Sequence, residues 1–293
     1  MDNWPNFFIV GADKAGTSSL YAYLSEVPGI FMSPIKEPNY FSIKTIPDNH
    51  QLKPIRDKQK YLALFKGVKY EKIVGEASPS YLADPEAAKL IHQVSPNAKI
   101  LISLRDPVER VYSNYLMLKR IGLLKSKFHD EIQMILQENR FKNDFLLNLD
   151  TGLYYENIKR FIDIFGNDQV RIIIFEEFIK NPKTTLNEIL NFLHLESKIV
   201  NFKPEIYNKY GVVRGLMAQK ILQSRTIRSI AERLISPPKR RFLKEKFILK
   251  EATKPPMTEE DRILLVNYYL SDVQKIKNLL NRELPWKNFV SIH

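Results

Sequence analysis

The feature that most constrains the fold is the stretch at residues 7–20, where an apolar run leads into a glycine-bounded turn and then a helical pattern. Residues 6–11 predict a buried parallel strand, and residues 17–26 predict a helix. Gly11 and Gly16 lie at the two ends of the turn. Backbone N–H groups and the helix dipole favour an anion at such a position. The sequence therefore predicts a phosphate-binding loop after the first strand.

The residues around the second glycine distinguish this loop from that of a nucleotide triphosphatase. A Walker A loop has lysine and then serine or threonine directly after its second glycine. In this chain Thr17 and Ser18 follow Gly16, and the lysine precedes it as Lys14. We therefore expect a loop for a phosphate ester, with its lysine directed away from a metal-bound γ-phosphate. The simpler alternative is a tight turn between strand and helix with no ligand.

Further strand and helix patterns alternate along the chain up to Leu195, after which the strand signal fades. This order predicts an α/β fold class, with a P-loop-like central parallel sheet flanked by helices and a helical C-terminal part. We expect a single domain over residues 1–293. The predicted later strands are 72–75, 98–104 and 170–175, and the predicted later helices are 56–66, 84–94, one from 106 onward, 129–140, 151–165, 181–193, 215–234 and 258–280.

Composition excludes several kinds of chemistry. The chain has no cysteine, so disulfides, thiol nucleophiles and cysteine-bound zinc are excluded. Its five histidines are scattered without metal-ligand spacing, and we expect no metal site. No apolar run is long enough to span a bilayer and no leader pattern is present, which predicts a cytoplasmic protein without a transmembrane segment.

The formal charge of +12 indicates anionic ligands. Much of the excess lies in a late basic run between Arg225 and Lys246, where a solvated surface is at least as good an explanation as a binding patch. No basic strand with interleaved aromatic residues occurs, so we expect no nucleic-acid partner.

A second motif lies at residues 104–115, Leu-Arg-Asp-Pro-Val-Glu-Arg-Val-Tyr-Ser-Asn-Tyr. Arg105 follows a predicted strand, and Ser113 falls two turns into the next helix. A guanidinium and a hydroxyl in these positions suit a second phosphate. The alternative is that Arg105 only pairs with Asp106 or Glu109.

Together these segments resemble the sulfotransferases that use 3′-phosphoadenosine-5′-phosphosulfate (PAPS), in the heparan-sulfate-type branch and its bacterial relatives. Gly-Ala-Asp-Lys-Ala-Gly-Thr-Ser-Ser-Leu is similar to their 5′-phosphosulfate loop, and the Arg105–Ser113 motif is similar to their 3′-phosphate motif. Weaker likeness extends to Lys-Glu-Pro-Asn-Tyr-Phe, Gly-Glu-Ala-Ser-Pro-Ser-Tyr-Leu, Gly-Leu-Tyr-Tyr, Phe-Glu-Glu-Phe and the closing Leu-Pro-Trp. The resemblance thus covers nearly the whole chain.

The resemblance implies binding roles residue by residue. Arg105 and Ser113 are expected to hold the 3′-phosphate of PAPS. Arg214, in the segment 210–215, is the candidate from a late loop over the nucleotide. The 5′-phosphosulfate is expected to lie against the first loop, at Lys14, Ala15, Gly16, Thr17, Ser18 and Ser19.

The resemblance also implies the chemistry, which is in-line transfer of a sulfuryl group to a hydroxyl or amine. Glu37 matches the general base of the heparan-sulfate-type branch, and Pro38 after it predicts an extended backbone that fixes its aim. Lys14 is expected to stabilise the leaving oxygen without any metal. The alternative for Glu37 is a surface glutamate paired with Lys36. Glycan-modifying relatives often have lysine at the position of Ala77; either another residue replaces it, with Lys36 as the candidate, or the acceptor differs.

Three alternatives remain open. Small-molecule relatives use a histidine base; no histidine here lies in a matching motif, and His50 is the minor alternative, from its own loop. A nucleotide-dependent kinase on a P-loop scaffold is the rival enzyme, and a non-catalytic binder of anionic glycans is the rival of another class. The acceptor, whether glycan, lipid, polyketide or small metabolite, has no readable signature in the sequence.

Overall fold

The computed structural model describes residues 3–46, 54–137, 147–196, 211–215 and 247–290, and the isolated positions 217, 218, 221, 224, 227 and 243. The described residues form two compact units. The first lies within Met1–Arg110, Thr151–Tyr207 and Tyr268–His293, and the second lies within Val111–Asp150 and Asn208–Asn267. The predicted single domain over residues 1–293 stays a prediction.

The first unit contains a five-stranded parallel sheet with the order β2-β3-β1-β4-β5. The sheet confirms the predicted fold class, because every strand is parallel to its neighbours and continuous apolar runs build its centre. Its strands are β1 (Phe7–Gly11), β2 (Ile30–Met32), β3 (Ile73–Ala77), β4 (Lys99–Leu104) and β5 (Val170–Ile174).

Helices cover this sheet. Side chains of α1, α7 and α8, among them Leu20, Phe178 and Leu186, pack with Phe7 and Ile9 of β1 in one buried cluster. The alternate residues of β1 point to the opposite face and are fully buried as well. The described α-helices of both units together are α1 (Thr17–Leu24), α2 (Lys58–Leu62), α3 (Ala87–Val94), α4 (Pro107–Arg120), α5 (Phe128–Gln137), α6 (Tyr155–Phe165), α7 (Phe175–Lys180), α8 (Pro182–Phe192) and α9 (Glu259–Leu280).

The second unit contains α5, parts of α4 and α9, and a two-stranded antiparallel sheet of β6 (Gly211–Val213) and β7 (Leu249–Glu251). The rings of Tyr112 and Tyr115 each pack 4.9 Å from the Phe128 ring. Thr258 Oγ1 accepts a hydrogen bond from Asp261 N at 3.2 Å, as its predicted place at the N-terminus of α9 requires.

Several predicted boundaries need correction. Strand β2, helix α7 and the β6–β7 pair were not predicted, and the last of these lies where the strand signal fades. Helix α3 begins at Ala87 rather than near Asp84, and the Asp84 carboxylate accepts from Glu86 N at 3.0 Å and from the backbone of Lys44 and Thr45. Most of the predicted helix at 215–234 lies outside the described residues. Of the helices that the structure describes, none combines the length and the apolar character needed to cross a membrane.

Candidate functional site

The loop between β1 and α1 is held by β4. Ala12 N donates to the Ser103 carbonyl at 2.7 Å, and Ser103 Oγ donates to the Ala15 carbonyl at 2.6 Å. Ser103 is fully buried, so these two bonds form away from water. Ser103 therefore holds the loop in place. The sequence analysis did not single it out, although a polar residue within an otherwise apolar strand could have indicated this role.

Both loop glycines are required by close packing. A Cβ on Gly11 would lie 2.5 Å from Leu82 Cβ. Gly16 has φ 82°, and a Cβ there would lie 2.7 Å from the ring of Phe175. The backbone therefore adopts a left-handed turn beneath an aromatic ring, and only glycine fits without displacement.

The N-terminus of α1 offers free donors. Gly16 is its N-cap and no side chain caps it. Within the described part of the chain, the N–H groups of Gly16, Thr17 and Ser18 have no hydrogen-bond acceptor. Unpaired amides at a helix start attract an anion, as does the helix dipole. The start of α1 thus offers N–H groups that suit an anion.

Arg105 follows β4 and reaches the same loop. Its Nη1 donates to the Lys14 carbonyl at 3.1 Å, and its guanidinium stacks on Phe175 at 4.8 Å from the ring centroid. Its side chain is 18% exposed, and Nε is buried without a hydrogen-bond partner among the described residues. The Glu109 contact that the alternative interpretation required is also present, at 3.9 Å. An unpaired guanidinium donor beside the loop is suited to a phosphate.

Buried carboxyl groups fix the backbone around Arg105. Asp106 Oδ1 accepts from Val108 N at 3.0 Å and so caps α4, while Oδ2 accepts from Asn288 Nδ2 at 2.8 Å. Glu176 accepts from Asp106 N at 3.1 Å. Burial raises the pKa of Glu176 to about 7, despite the opposing effects of that hydrogen bond and of the Arg105 charge.

Glu37 lies in the loop that follows β2, beside the end of β3. Its N–H donates to the Ala77 carbonyl at 2.9 Å. Its φ is 63°, so the predicted extended backbone is wrong: long-range hydrogen bonds override the local preference of a residue before proline.

Charge around Glu37 keeps it ionised. Burial alone would raise the pKa of Glu37, but the paired Lys36 ammonium and the charge of Lys14 outweigh burial and lower it. The carboxylate forms an ion pair with Lys36 and its side chain is 33% exposed. Lys14 thus lies close enough to Glu37 for its charge to lower the pKa of that carboxyl group, and the catalytic roles of both residues stay predictions. Ala77 is fully buried next to this pair.

Arg56 is a further residue that the sequence reasoning missed. Its guanidinium donates to the carbonyls of Asn39 at 3.2 Å, Tyr40 at 3.3 Å and Ser42 at 3.0 Å. It therefore ties together the loop that carries Glu37. A single arginine outside any motif gave no signal of this role.

The remaining predicted residues are placed as follows. Ser18 and Ser19 lie half-buried in the first turn of α1, and Ser113 lies half-buried on α4. Arg214 is exposed after β6, and its N–H donates to the Ile248 carbonyl at 2.9 Å. Ser113 and Arg214 belong to the second unit, and their binding roles stay predictions. His50, Tyr210 and most of the basic run lie outside the described residues.

The described residues contain no group of three or more histidine and acidic side chains placed to hold a metal ion. Metal-free chemistry stays a prediction.

Comparison with known proteins gives a consistent result. The sulfotransferase domain family matches residues 5–229. The chain is 28% identical over 245 residues to human carbohydrate sulfotransferase 15, a match that covers 65% of this chain and 44% of that protein. It is 24% identical over 294 residues to mouse bifunctional heparan sulfate N-deacetylase/N-sulfotransferase 4, over 96% of this chain and 30% of that protein. The chain thus spans less than half the length of these relatives.

A solved structure agrees over nearly the full length. The sulfotransferase from Alicyclobacillus acidocaldarius superposes with a TM-score of 0.71 and 31% identity, covering 96% of this chain and 97% of that one. The family match confirms the resemblance to sulfotransferases that the sequence motifs indicated. The chain belongs to the sulfotransferase domain family of transferases.

Proposed function

We propose that the chain transfers a sulfuryl group from PAPS to a hydroxyl or amine acceptor. One observation carries the proposal. The unpaired amides at Gly16–Ser18 and the partly exposed guanidinium of Arg105 lie at one loop, because Arg105 Nη1 also donates to the Lys14 carbonyl of that loop. A nucleotide with phosphates at both 5′ and 3′ positions presents two anionic groups that such donors match.

We propose the following binding roles. The amides of Gly16, Thr17 and Ser18 hold the 5′-phosphate, with Ala15 and Ser19 beside them. Arg105 holds the 3′-phosphate, and Phe175 keeps its guanidinium flat against the loop. Ser113 and Arg214 are the further residues that we propose for the nucleotide.

Glu37 and Lys14 carry the transfer step. The acceptor oxygen or nitrogen forms a bond to sulfur while its proton passes to the Glu37 carboxylate. The bond from sulfur to the 5′-phosphate oxygen breaks, and that oxygen keeps the electron pair and is stabilised by Lys14. An anion bound at Lys14 also offsets the positive field that lowers the pKa of Glu37, so nucleotide binding makes Glu37 a stronger base.

A carbohydrate is the acceptor that the relatives favour. The names of the curated relatives refer to carbohydrate and heparan sulfate, which offer hydroxyl and amine groups. The ion pair of Lys36 with Glu37 places a cation at the base, where it is available to an acidic sugar. We propose that Lys36 replaces the lysine missing at Ala77. Lipid, polyketide and small-metabolite acceptors are the other outcomes of an acceptor screen.

The decisive experiment is a screen with radiolabelled PAPS against glycan, lipid, polyketide and small-metabolite acceptors, run with wild type, Glu37→Gln and Glu26→Gln. Glu26 is an exposed glutamate outside the site and serves as the control. We expect transfer by wild type and Glu26→Gln. Glu37→Gln should lose about 10²–10⁴ in rate while it still binds 3′-phosphoadenosine 5′-phosphate (PAP).

Three results would contradict the proposal. Full turnover in Glu37→Gln would remove Glu37 from the mechanism. Magnesium-dependent phosphate transfer from ATP would favour a kinase, and tight glycan binding with no PAPS turnover would favour a glycan binder.

A further inference from the structure

Glu76 is a buried carboxyl group to which the proposed chemistry assigns no role. It lies on β3 and is 0% exposed. Three hydroxyl groups surround it: Tyr61 and Tyr81 each donate to Oε1 at 2.7 Å, and Ser78 donates to Oε2 at 2.6 Å. None of the described lysines, arginines or histidines forms an ion pair with it. Such a group is costly to bury, so it calls for an explanation.

The Ser78 bond leads from Glu76 to the loop of the proposed base. A serine hydroxyl has one proton to donate and two lone pairs that accept. Because Ser78 gives its proton to Glu76, its lone pairs are left for the N–H of Asn39, which donates to Ser78 Oγ at 3.1 Å. Asn39 Nδ2 in turn donates to the Glu37 carbonyl at 2.8 Å. Hydrogen bonds of Ser78 and Asn39 therefore connect Glu76 to the backbone of Glu37.

The backbone at the end of this chain needs such support. Glu37 has φ 63° and Asn39 has φ 52°, on either side of Pro38. A left-handed backbone is unfavourable for glutamate, although asparagine tolerates it. The loop therefore adopts this conformation only where its surroundings impose it. Two such constraints are the hydrogen bonds that Asn39 N donates to Ser78 Oγ and that Glu37 N donates to the Ala77 carbonyl.

We propose that Glu76 is a positioning residue that acts through Ser78 and Asn39 to hold the Glu37 carboxylate at the transfer site. This inference rests on the proposed function of Glu37 as the base. It assigns Glu76 no contact with the substrate.

The chain offers a matched pair of variants. Ser78→Ala and Tyr61→Phe each remove one buried hydroxyl that donates to Glu76, but only Ser78 is bonded to Asn39. Ser78→Ala should lower kcat about 10- to 100-fold, the cost of a misplaced catalytic group, with the Kd for PAP unchanged. Tyr61→Phe should lower kcat far less and should also leave the Kd for PAP unchanged.

Hydrogen exchange gives a readout that needs no acceptor. In the PAP-bound protein, the peptide over residues 36–42 contains the protected amides of Glu37 and Asn39. Ser78→Ala should speed exchange in this peptide and leave the β1–α1 peptide unchanged, whereas Tyr61→Phe should leave both unchanged.

The outcomes separate this inference from the proposed function. Full turnover and unchanged exchange in Ser78→Ala, beside an inactive Glu37→Gln, would overturn the positioning role alone. Full turnover in Glu37→Gln would overturn the proposed base and the positioning role together.

Discussion

Replacing Gly16 with alanine tests whether the phosphate loop depends on its left-handed turn beneath Phe175. At φ 82° an alanine costs about 1–2 kcal/mol in backbone strain. Its Cβ would lie 2.7 Å from Phe175 Cδ2, and such overpacking costs about 1–3 kcal/mol more. We therefore expect Gly16→Ala to lower the free energy of unfolding by roughly 2–5 kcal/mol.

Gly29 provides the matched control. It has φ 88°, and a Cβ there would meet only Leu195 Cδ2, at an ordinary 3.7 Å. Gly29→Ala should therefore cost only the backbone strain, about 1–2 kcal/mol. The difference between the two variants isolates the contact with the ring.

Urea denaturation of Gly16→Ala, Phe175→Ala and the double variant completes the test. Since removing the ring relieves the clash, the double variant should be about 1–3 kcal/mol more stable than the sum of the two single effects predicts. Strict additivity, or equal losses in Gly16→Ala and Gly29→Ala, would refute the packing argument.

Three further predictions concern charged groups. Burial raises the pKa of Glu76 to about 7 in the folded protein, above 4.5 in the unfolded chain, so the free energy of unfolding should fall as the pH rises through this window. In urea melts at pH 4.5 and pH 8, Glu76→Gln should remove about 3 kcal/mol of that fall. The same pH dependence in wild type and Glu76→Gln would contradict this. Lys36→Met removes a charge that lowers the pKa of Glu37, so the acid limb of the pH–rate profile should move to higher pH, whereas the exposed Lys44→Met should not move it. Asp106→Ala should lower the free energy of unfolding by about 2–4 kcal/mol, because it removes both a helix cap and the hydrogen bonds with Asn288. Asp57→Ala, which removes only an N-cap, should lower it by about 1 kcal/mol. Equal shifts in melting temperature would contradict the added role of Asn288.

Local patterns were sufficient to predict the centre of the fold. The apolar runs at β1, β3, β4 and β5 mark buried parallel strands, and the glycines of the first loop mark the turn between β1 and α1. These features depend on residues close in sequence. Strand β2 was missed because Ile30–Met32 is only three residues long, at the edge of the sheet.

Features set by distant residues could not be predicted. The left-handed backbone at Glu37 depends on the Ala77 carbonyl and on Ser78, some 40 positions along the chain. The β6–β7 pair joins Gly211–Val213 to a strand that begins at Leu249. Long-range hydrogen bonds decide both, and no local propensity encodes them. A cytoplasmic location and the absence of a nucleic-acid partner stay predictions.

The central claim is that Arg105 binds the 3′-phosphate of a nucleotide whose 5′-phosphate lies on the β1–α1 loop. Calorimetric titration of PAP and of adenosine 5′-phosphate into wild type, Arg105→Ala and the surface control Arg171→Ala tests it directly. Because a hydrogen bond to a charged group contributes about 1.5–3 kcal/mol, the preference for PAP should fall at least about tenfold in Arg105→Ala and persist in Arg171→Ala. Equal losses of both nucleotides in Arg105→Ala, with the preference for PAP retained, would contradict the account.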